Sequence, residues 1–513
     1  MEEQYALPSL APAVRRLLLK LLKACRQANV DAYLVGGFLR GLLLGGTAED
    51  VDIAVSGDAS ALVHDAAEAL KGRAFPLDEE RGVFRVALPA GAPVRYVDVT
   101  RLRGDIDNDL RERDFTIDAM ALPLAALAGR TPPPLLDPLA GRADLARRSV
   151  RAVDDGVFRA DGLRLLRAVR LCAELDFSLD DASAALVRRD APLLDGVSPE
   201  RKRDEFVRIL ATTRAAASLA QLDALGLLER LLPEVAACRG VSQPKEHHWD
   251  VFRHSIETVA ALDFMLADAA PSDRRRAAMW HELWGQLAWL PDLRAHFYEE
   301  TVEGRTRAAL LKLAGLLHDV AKPETKAPDR TGRIRFFGHA ELGAEKAAAV
   351  LRRLRFSGAE TRLVALIIED HLRPGQLSGG GPPTRRAIYR FFRDTGDAAV
   401  DILFLTLADA LAARGPRLRV ATWRRHVAYV SYVLARHYLD RPPAVPPRLL
   451  TGDDLMAELA VEPGPLVGRL LAAVEEARGA GEITTGEEAL ALARSLRSEL
   501  ARSSRRRSQK DAD

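Results

Sequence analysis

Apolar and polar positions along this chain follow two different periods, and the change from one to the other divides the sequence. At 10–29 apolar residues recur at helical spacing, and a short apolar run at 32–35 then ends at Gly36-Gly37. This pattern predicts a helix, a strand and a tight turn. Further apolar runs predict strands at 51–55, 83–88 and 94–99. We therefore expect a small mixed sheet flanked by helices in the first part of the chain.

Helical spacing replaces the strand pattern after the prolines at 132–134 and dominates from 158 to about 232. The remainder is also mostly helical in pattern, and a proline-rich joint at 441–448 precedes a last helical unit. These patterns predict an α+β fold, with a mixed-sheet head followed by all-helical domains. The predicted divisions are a head at 1–150, a neck at 151–240, a histidine-rich domain at 241–440, a helical tail domain at 441–500 and a disordered tail at 501–513.

The composition is that of a globular multidomain protein. The 513 residues exceed one ordinary domain, and 48% hydrophobic with 28% charged residues is the usual balance of folded chains. The formal net charge is only +2, so attraction for nucleic acid must come from local clusters of arginine. Cys25, Cys172 and Cys238 lack metal-ligand spacing and predict buried thiols in a reducing compartment. With no long apolar stretch, we expect a cytoplasmic location and no membrane partner.

A glycine turn and an acidic strand form the first candidate site. Gly36-Gly37 lies between a predicted strand and a helix-like segment, where backbone amides can face a phosphate. Asp50 and Asp52 alternate on the next strand, so their carboxylates point to the same side. Such a pair can bridge two Mg²⁺ ions, one activating an attacking hydroxyl and one holding a leaving pyrophosphate. Asp98, on a later strand, is a candidate third carboxylate.

The strings GGFLR at 36–40 and DVD at 50–52 resemble the nucleotidyltransferase head of class II CCA-adding enzymes and bacterial poly(A) polymerases. RERDFTIDAM at 111–120 continues the match and resembles the family's ribose-binding motif. The resemblance implies a polymerase-beta-like head in which Asp50 and Asp52 are catalytic. It also implies nucleotide-binding roles for Gly36, Gly37, Arg40, Arg113 and Asp114, the last two at the sugar.

The neck carries a second stretch of the resemblance. FRADGLR at 158–164 corresponds to the element in which this family reads the base of the incoming nucleotide, which implies that role for Asp161 and Arg164. Their spacing of three predicts one helical face, where a surface ion pair is the alternative interpretation. Arg164, Arg167 and Arg170 form a stripe that could neutralise a triphosphate or an RNA backbone.

Three positions depart from the family pattern and put nucleotide selectivity in doubt. Gly41 stands where an aspartate is usual, Asp118 replaces an asparagine, and Ala160 replaces a glutamate. None of these changes removes a metal carboxylate. Asp118 adds negative charge near a triphosphate unless a neighbouring arginine neutralises it or it helps to bind a metal.

The histidine-rich domain holds the other candidate site. An ordered series of side chains resembles the HD phosphohydrolase superfamily, namely His254, His318, Asp319, His339, His371 and Asp409. Imidazole with carboxylate suits divalent transition metals, and Mg²⁺ is the alternative. The adjacent His318 and Asp319 can bind one ion while His339 and His371 complete a second, with a bridging water as nucleophile. The function of this domain stays open between a cyclic phosphodiesterase, a phosphatase and a purely structural scaffold. His247 and His248 are treated as neighbours of the candidate ligands and not as ligands.

The expected function is extension of a tRNA or other RNA 3′ end with C, A or both, from CTP and ATP. A tRNA substrate is favoured because LTGDDL at 450–455 and the segment that follows resemble the tail region of tRNA nucleotidyltransferases. Addition of a long A tail, as by a poly(A) polymerase, is the alternative function. A phosphohydrolase with a degenerate head and a non-catalytic RNA-binding protein are two further hypotheses.

Overall fold

The computed structural model describes residues 10–46, 50–80, 82–128, 135–302, 304–377, 382–439 and 448–510, with residues 501 and 503–510 described by their backbone alone. The predicted proline break at 132–134 and most of the joint at 441–448 lie outside the described residues. The chain forms two compact units, one of Met1–Ile209 with Ser218–Leu231 and one of Leu210–Ala217 with Leu232–Asp513. The predicted neck therefore contributes to both units.

A mixed sheet forms the head of the first unit. Its strands are β1 (Ala32–Val35), β2 (Asp50–Val55), β3 (Arg73–Asp78), β4 (Val83–Ala87), β5 (Tyr96–Arg101) and β6 (Ala121–Pro123). They lie in the order β3-β4-β5-β2-β1-β6, with β2 and β5 parallel and the other neighbours antiparallel. The mixed sheet confirms the predicted fold class, and β1, β2, β4 and β5 were predicted from the sequence.

Two strands of the head sheet were not predicted from the sequence. β3 is largely exposed and contains Pro76, which is tolerated because β3 is the edge strand of the sheet. β6 is only three residues long and forms the opposite edge. Neither shows the apolar alternation from which strands are predicted.

Strand β2 explains how the acidic pair is positioned. Val51 and Ile53 are buried in the core, whereas Asp50 and Asp52, which alternate with them, are half-buried on the other face. Helices flank the sheet and bury its apolar side chains. In the head they are α1 (Pro12–Gln27), α2 (Gly36–Leu43), α3 (Ala59–Leu70), α4 (Ile106–Arg111) and α5 (Gly141–Ala146).

The remainder of the first unit is mainly helical. It contains a short parallel strand pair, β7 (Ser149–Val150) with β8 (Ser178–Leu179). The helices that follow the head are α6 (Val157–Ala160), α7 (Arg164–Leu175), α8 (Asp181–Asp190), α9 (Pro199–Ala211), α10 (Ala215–Ala224) and α11 (Leu228–Leu231). Of these, α9 and α10 each run from one unit into the other.

The second unit is built from helices, with two small strand pairs, β9 (Glu300–Val302) with β10 (Arg305–Thr306) and β11 (Ala327–Pro328) with β12 (Ile334–Arg335). Its helices are α12 (Pro233–Ala236), α13 (Val251–Leu266), α14 (Arg274–Gln286), α15 (Leu293–Tyr298), α16 (Arg307–Leu317), α17 (Lys322–Thr325), α18 (His339–Arg353), α19 (Gly358–Glu369), α20 (Arg373–Gln376), α21 (Arg385–Thr395), α22 (Ala399–Arg414), α23 (Val420–Tyr438), α24 (Gly452–Leu459), α25 (Pro465–Gly479) and α26 (Gly486–Lys510).

Helix α16 is buried along its whole length and delivers His318 and Asp319 to the interior of this unit. At the other end of the unit, α24, α25 and α26 share a small core that includes Leu455, Leu470 and Val474. The backbone of α26 is helical to Lys510, within the segment from 501 for which the sequence predicted a disordered tail. Residues 511–513 lie outside the described part of the chain.

Candidate active site and metal centre

The turn at Gly36 brings the end of β1 against the acidic pair. Gly36 has a φ of +61°, and a Cβ atom at this position would lie 3.2 Å from Oδ2 of Asp52 and 3.4 Å from Nη1 of Arg113. The backbone N–H of Phe38 donates to Oδ2 of Asp52 at 3.1 Å. Glycine is required here both by the left-handed backbone and by the close approach of a carboxylate.

Gly36→Ala is expected to destabilise the first unit by about 1–2 kcal/mol, the cost of the left-handed conformation for a residue with a Cβ atom. It should also reduce nucleotide addition, because the new methyl group pushes against the Asp52 carboxylate. Gly45→Ala is the matched control, since Gly45 has a φ of +75° but its Cβ would meet nothing within 4 Å. Thermal unfolding and addition assays on both variants test this; an equal loss of activity in both would exclude the contact with Asp52 as the cause.

Asp98 lies beside Asp52, as expected, because the parallel register of β2 and β5 pairs these two residues. Both of its carboxylate oxygens accept from Arg85, which donates from Nε at 2.7 Å and from Nη2 at 2.8 Å. Arg85 was not identified from the sequence and sits opposite Asp98 in the register of β4 and β5. Asp98 therefore lies beside the Asp50 and Asp52 pair, but both of its carboxylate oxygens already accept hydrogen bonds from Arg85.

The electrostatics of Asp52 suit a bound cation. Burial raises the pKa of Asp52 to about 6, the charges of Asp98 and Asp118 act in the same direction, and the Phe38 amide opposes the shift. A carboxylate penalised by burial and by two like charges is stabilised when a divalent cation binds beside it. The donor set is oxygen only, which is the chemistry that Mg²⁺ prefers.

Arg40 and Asp118 form a close ion pair between α2 and the predicted sugar-binding motif. Both side chains are mostly buried, at 12% exposure each. Burial raises the pKa of Asp118, and the positive charge of Arg40 opposes that shift. The extra charge of Asp118, a departure from the family pattern, is therefore neutralised by a neighbouring arginine.

The predicted sugar-binding residues are each held by a partner. Asp109 accepts from Nε and Nη2 of Arg113, at 3.2 and 3.0 Å. Oδ2 of Asp114 accepts from Arg167 at 2.9 Å. Burial would raise the pKa of Asp114, but Arg167 and Arg164 lower it overall, so this side chain is an anion. Asp109 was not identified from the sequence. Its spacing of four residues from Arg113 could have indicated this ion pair.

Head and neck meet at a cavity of about 290 Å³ within the first unit. Residues lining it are Thr100, Arg103, Asp109, Glu112, Arg113, Asp114, Arg164 and Arg167. The guanidinium groups provide donors suited to a phosphate or a nucleobase edge. Arg113 also approaches Gly36, so it connects this cavity with the acidic pair.

Asp161 and Arg164 do not share a helical face, so that prediction is wrong. Helix α6 ends at Ala160, Asp161 has extended backbone angles, and α7 begins only at Arg164. Gly162, in this bend, lies so close to the Leu193 carbonyl that a Cβ atom would be 2.6 Å from it.

The two predicted base-reading residues have separate partners. Oδ2 of Asp161 accepts from Arg201 at 2.5 Å, and Arg201 had no predicted role. Arg164 donates to the Glu112 carbonyl at 2.9 Å and to the Val157 carbonyl at 3.2 Å. Arg164 lines the cavity of the first unit.

The arginine stripe lies on α7, as predicted, but its charges are largely paired. Arg167 contacts Asp114 and Glu205, and Nε of Arg170 donates to Glu205 at 2.5 Å. Arg170 also donates to Glu174 at 2.6 Å. Only Arg164 and Arg167 of the stripe reach the cavity, so Arg170 supports the neck.

The second unit brings its histidines and aspartates together around Asp319. Nε2 of His254 lies 3.4 Å and Nε2 of His318 lies 3.2 Å from Oδ2 of Asp319, and Nε2 of His339 lies 3.6 Å from its Oδ1. His371 joins this cluster, and Asp409 lies 3.0 Å from His254. The predicted HD residues thus converge in one place. His247, treated as a neighbour, also reaches His254 and Asp409.

The histidine tautomers favour metal binding. Nδ1 of His318, His339 and His371 each contacts a backbone carbonyl, of Gly315, Phe336 and Ile368, at 2.8, 2.6 and 2.6 Å. A carbonyl can only accept, so these nitrogens carry a proton, and in the neutral imidazole Nε2 then directs its lone pair toward the cluster. Burial acts to lower the pKa of His318, but the charge of Asp319 raises it overall. Burial lowers the pKa of His371 to about 4, which keeps it neutral at physiological pH. Oδ1 of Asp319 and Nε2 of His318 are buried without a hydrogen bond in the described structure, as expected of ligand atoms.

Lys322 is a further residue of this centre, and it was not identified from the sequence. Its Nζ donates to Oδ2 of Asp319 at 2.6 Å and to Oε1 of Gln243 at 2.8 Å. Lys322 lies three residues after Asp319, a spacing that could have indicated this ion pair from the sequence.

Comparison with known families matches most of the chain. The poly(A) polymerase head domain matches 32–151, the probable RNA and SrmB-binding site of polymerase A matches 176–239, and the HD domain matches 251–414. The A-adding tRNA nucleotidyltransferase of Deinococcus radiodurans is 38% identical over 466 residues, which cover 90% of this chain and 94% of the relative. The chain belongs to the tRNA nucleotidyltransferase family.

Other members of the tRNA nucleotidyltransferase family show the same extent of similarity. The CC-adding tRNA nucleotidyltransferase of Thermus thermophilus is 34% identical over 469 residues, covering 90% of this chain and 92% of the relative. The Thermotoga maritima CCA-adding enzyme, solved in complex with tRNA, superposes with a TM-score of 0.60 at 19% identity, over 95% of this chain and 96% of the other. A CCA-adding enzyme solved with CTP gives a TM-score of 0.61 at 18% identity, over 94% of each chain. These structures share the fold.

The described residues also bear on the predictions about the cysteines and about membrane-spanning segments. Cys25, Cys172 and Cys238 are all buried free thiols, as predicted. A search of the described helices finds none long and apolar enough to cross a membrane.

Proposed function

We propose that this chain extends the 3′ end of tRNA with C, A or both, using CTP and ATP. The observation that carries the proposal is the convergence of the Asp50 and Asp52 pair, the Gly36 turn and Arg113 in one unit, beside an arginine-lined cavity. Paired carboxylates suit Mg²⁺ and guanidinium groups suit a triphosphate. Relatives named for A addition and for CC addition support the tRNA substrate and leave both nucleotides as candidates.

Asp50 and Asp52 would hold Mg²⁺, which when bound supplies the Lewis acidity for attack of the 3′-hydroxyl on the α-phosphate and for departure of pyrophosphate. The backbone at Gly36 and Gly37, at the start of α2, would face the phosphate beside Asp52 and Arg113. Arg40 stays beside this turn because Asp118 holds its guanidinium. Asp98, fixed by Arg85, contributes its position and charge beside Asp52.

The cavity residues would then hold the nucleotide. Arg113, oriented by Asp109, and Asp114, oriented by Arg167, lie where the sugar is bound in this proposal. Arg164 offers guanidinium donors to the base from the neck side of the cavity. Asp161, held by Arg201, is assigned to base selection with Arg164 because the segment 158–164 resembles the base-reading element of the family.

The direct test is incubation of the protein and Mg²⁺ with tRNAs that end before CCA, after C and after CC. CTP and ATP are offered separately and together, and products are separated on a gel. Addition of C, of A or of all three nucleotides supports the proposal and identifies the product. Long A tails would replace it with poly(A) polymerase activity, and no extension of any end would contradict it.

A second function is proposed for the histidine cluster, namely metal-dependent hydrolysis of a phosphoester such as a 2′,3′-cyclic phosphate or a terminal phosphate. The supporting observation is the convergence around Asp319 of three imidazole rings whose Nδ1 atoms each contact a backbone carbonyl. His254, His318, Asp319, His339, His371 and Asp409 would hold divalent metal, with His247 as an additional ligand. Bound metal would polarise the phosphoryl oxygens of the substrate, and imidazole nitrogen favours a transition metal over Mg²⁺.

His318→Ala is expected to weaken Mn²⁺ or Ni²⁺ binding by about 10- to 100-fold or more, since even changes to the partners of metal ligands cost this much. Phosphoester hydrolysis should fall with it, whereas tRNA extension should persist. His281→Ala, at an exposed histidine of α14, is the control. Isothermal titration with each metal measures the affinity, and unchanged binding in His318→Ala would reject the assignment.

We also propose a cytoplasmic location, supported by the three buried thiols, which suit a reducing compartment.

A further inference from the structure

An aromatic side chain at the histidine cavity has no role in the functions proposed above. Phe337 is 78% exposed, more than any other large hydrophobic side chain of the described residues. It lines the same cavity, of about 610 Å³, as Asp319, His339, His371 and Asp409. Among the described residues, no ring stacking or cation-π contact engages Phe337, whereas the neighbouring Phe336 ring lies 5.4 Å from Nζ of Lys322.

The backbone fixes Phe337 at the edge of the cluster. On one side, the Phe336 carbonyl accepts from Nδ1 of His339 at 2.6 Å. On the other side, Gly338 has a φ of +76° and is the N-cap residue of α18. Two residues span at most roughly 7 Å when extended, so the Cα atom of Phe337 lies within that distance of the Cα atom of His339. A ring and a metal-ligand cluster are therefore held close together.

We propose that Phe337 is a stacking platform for the nucleobase of a nucleotide whose phosphate binds at the histidine cluster. Phe337 then makes the nucleobase a determinant of affinity at this cavity, and base-free phosphoesters are poor substrates. This inference rests on the proposed phosphohydrolase function, which it makes more specific. Lys322 supports it by placing positive charge beside Asp319, where the phosphate would lie.

The chemistry of the ring favours a base over other occupants. Every nucleobase presents a flat π face, so a single exposed aromatic side chain can stack any of them. The ribose joins a base to its 2′ and 3′ phosphates and so bridges the short distance between Phe337 and the cluster. A sugar phosphate or glycerol phosphate has no flat face and would leave the ring in water.

The experiment compares the full-length wild-type protein with Phe337→Ala, Phe337→Tyr and Leu439→Ala. Leu439 is the control because it is 65% exposed in the same unit but does not line this cavity. The first readout is quenching of 2-aminopurine riboside 3′-monophosphate fluorescence, which reports stacking without requiring turnover. The second readout is KM and kcat with Mn²⁺ for 2′,3′-cyclic AMP and for glycerol 1,2-cyclic phosphate.

Phe337→Ala is expected to weaken binding of the fluorescent nucleotide and raise KM for 2′,3′-cyclic AMP by roughly 5- to 160-fold, the equivalent of about 1–3 kcal/mol per stacked base. The kcat should be unchanged, as should KM for glycerol cyclic phosphate. Phe337→Tyr should restore stacking, and Leu439→Ala should behave as wild type.

Different failures have different meanings. Quenching that is absent in the wild type, or that persists in Phe337→Ala, overturns the stacking platform even if hydrolysis is observed. An equal loss on the base-free substrate also overturns it, since Phe337 would then only shape the cavity. Quenching that depends on Phe337 without hydrolysis of either substrate supports the platform while rejecting the phosphohydrolase function.

Discussion

Asp52→Asn is expected to reduce nucleotide addition by at least about 10²- to 10³-fold, the loss that follows removal of one electrostatic stabiliser of a transition state. Asparagine keeps the shape of the side chain and its acceptor for the Phe38 amide but removes the negative charge that would hold Mg²⁺. Single-turnover incorporation of labelled CTP or ATP into tRNA measures the effect. Asp65→Asn, at an exposed position of α3, is the matched control.

The same substitution should not destabilise the first unit. Burial and the charges of Asp98 and Asp118 raise the pKa of Asp52, so its charge is unfavourable in the protein without metal. Removing it should leave the melting temperature unchanged or higher, a trade of stability against activity that is common at catalytic sites. Retained incorporation in a folded Asp52→Asn protein would reject the metal assignment at this residue.

Arg170→Ala should destabilise the neck by about 1.5–3 kcal/mol, the contribution of a hydrogen bond to a charged group, because the buried Glu205 carboxylate then keeps only its longer contact with Arg167. Arg170 is 8% exposed and binds Glu205, which is 9% exposed, together with Glu174. Arg148→Ala is the control, since Arg148 and Asp176 are 60% and 56% exposed and such a pair contributes about 0–1 kcal/mol.

Thiol labelling of Cys172 measures this difference locally, because Cys172 is buried on α7 with Arg170. Opening of the helix exposes the thiol, so labelling should be roughly 10- to 160-fold faster in Arg170→Ala and nearly unchanged in Arg148→Ala. Mass spectrometry distinguishes Cys172 from Cys25 and Cys238. Similar labelling rates in the two variants would show that the Arg170 network contributes no more than a surface ion pair.

Several features of the fold and site were predictable because they depend on local sequence. The alternation of Asp50 and Asp52 with buried Val51 and Ile53 determines which face of β2 carries the carboxylates. The Gly36 turn was predictable for the same reason, since its left-handed backbone favours glycine. The apolar helix before His318 and Asp319 was visible in its periodicity.

The errors arose where packing between distant segments overrides local spacing. Asp161 and Arg164 have the spacing of one helical face, but α6 ends before Asp161, and the next residue, Gly162, packs against the distant Leu193 carbonyl. Edge strand β3 was missed because an exposed strand needs no apolar alternation. His247 was not identified as a candidate ligand because nothing in its spacing indicates that it reaches Asp409.

The sequence by itself determined the type of chemistry, because carboxylate pairs, glycine turns and histidine with aspartate are local properties of the chain. Tertiary structure alone decided which of the charged side chains are already paired within the protein and which remain available to bind a ligand. Asp118 is paired with Arg40, Asp98 with Arg85 and Asp161 with Arg201, and the partners are 78, 13 and 40 residues apart in the sequence. Ion pairing depends on distance and burial in space, neither of which is encoded in residue spacing. The same reason explains why the position of Phe337 beside the histidine cluster became visible only in the folded protein.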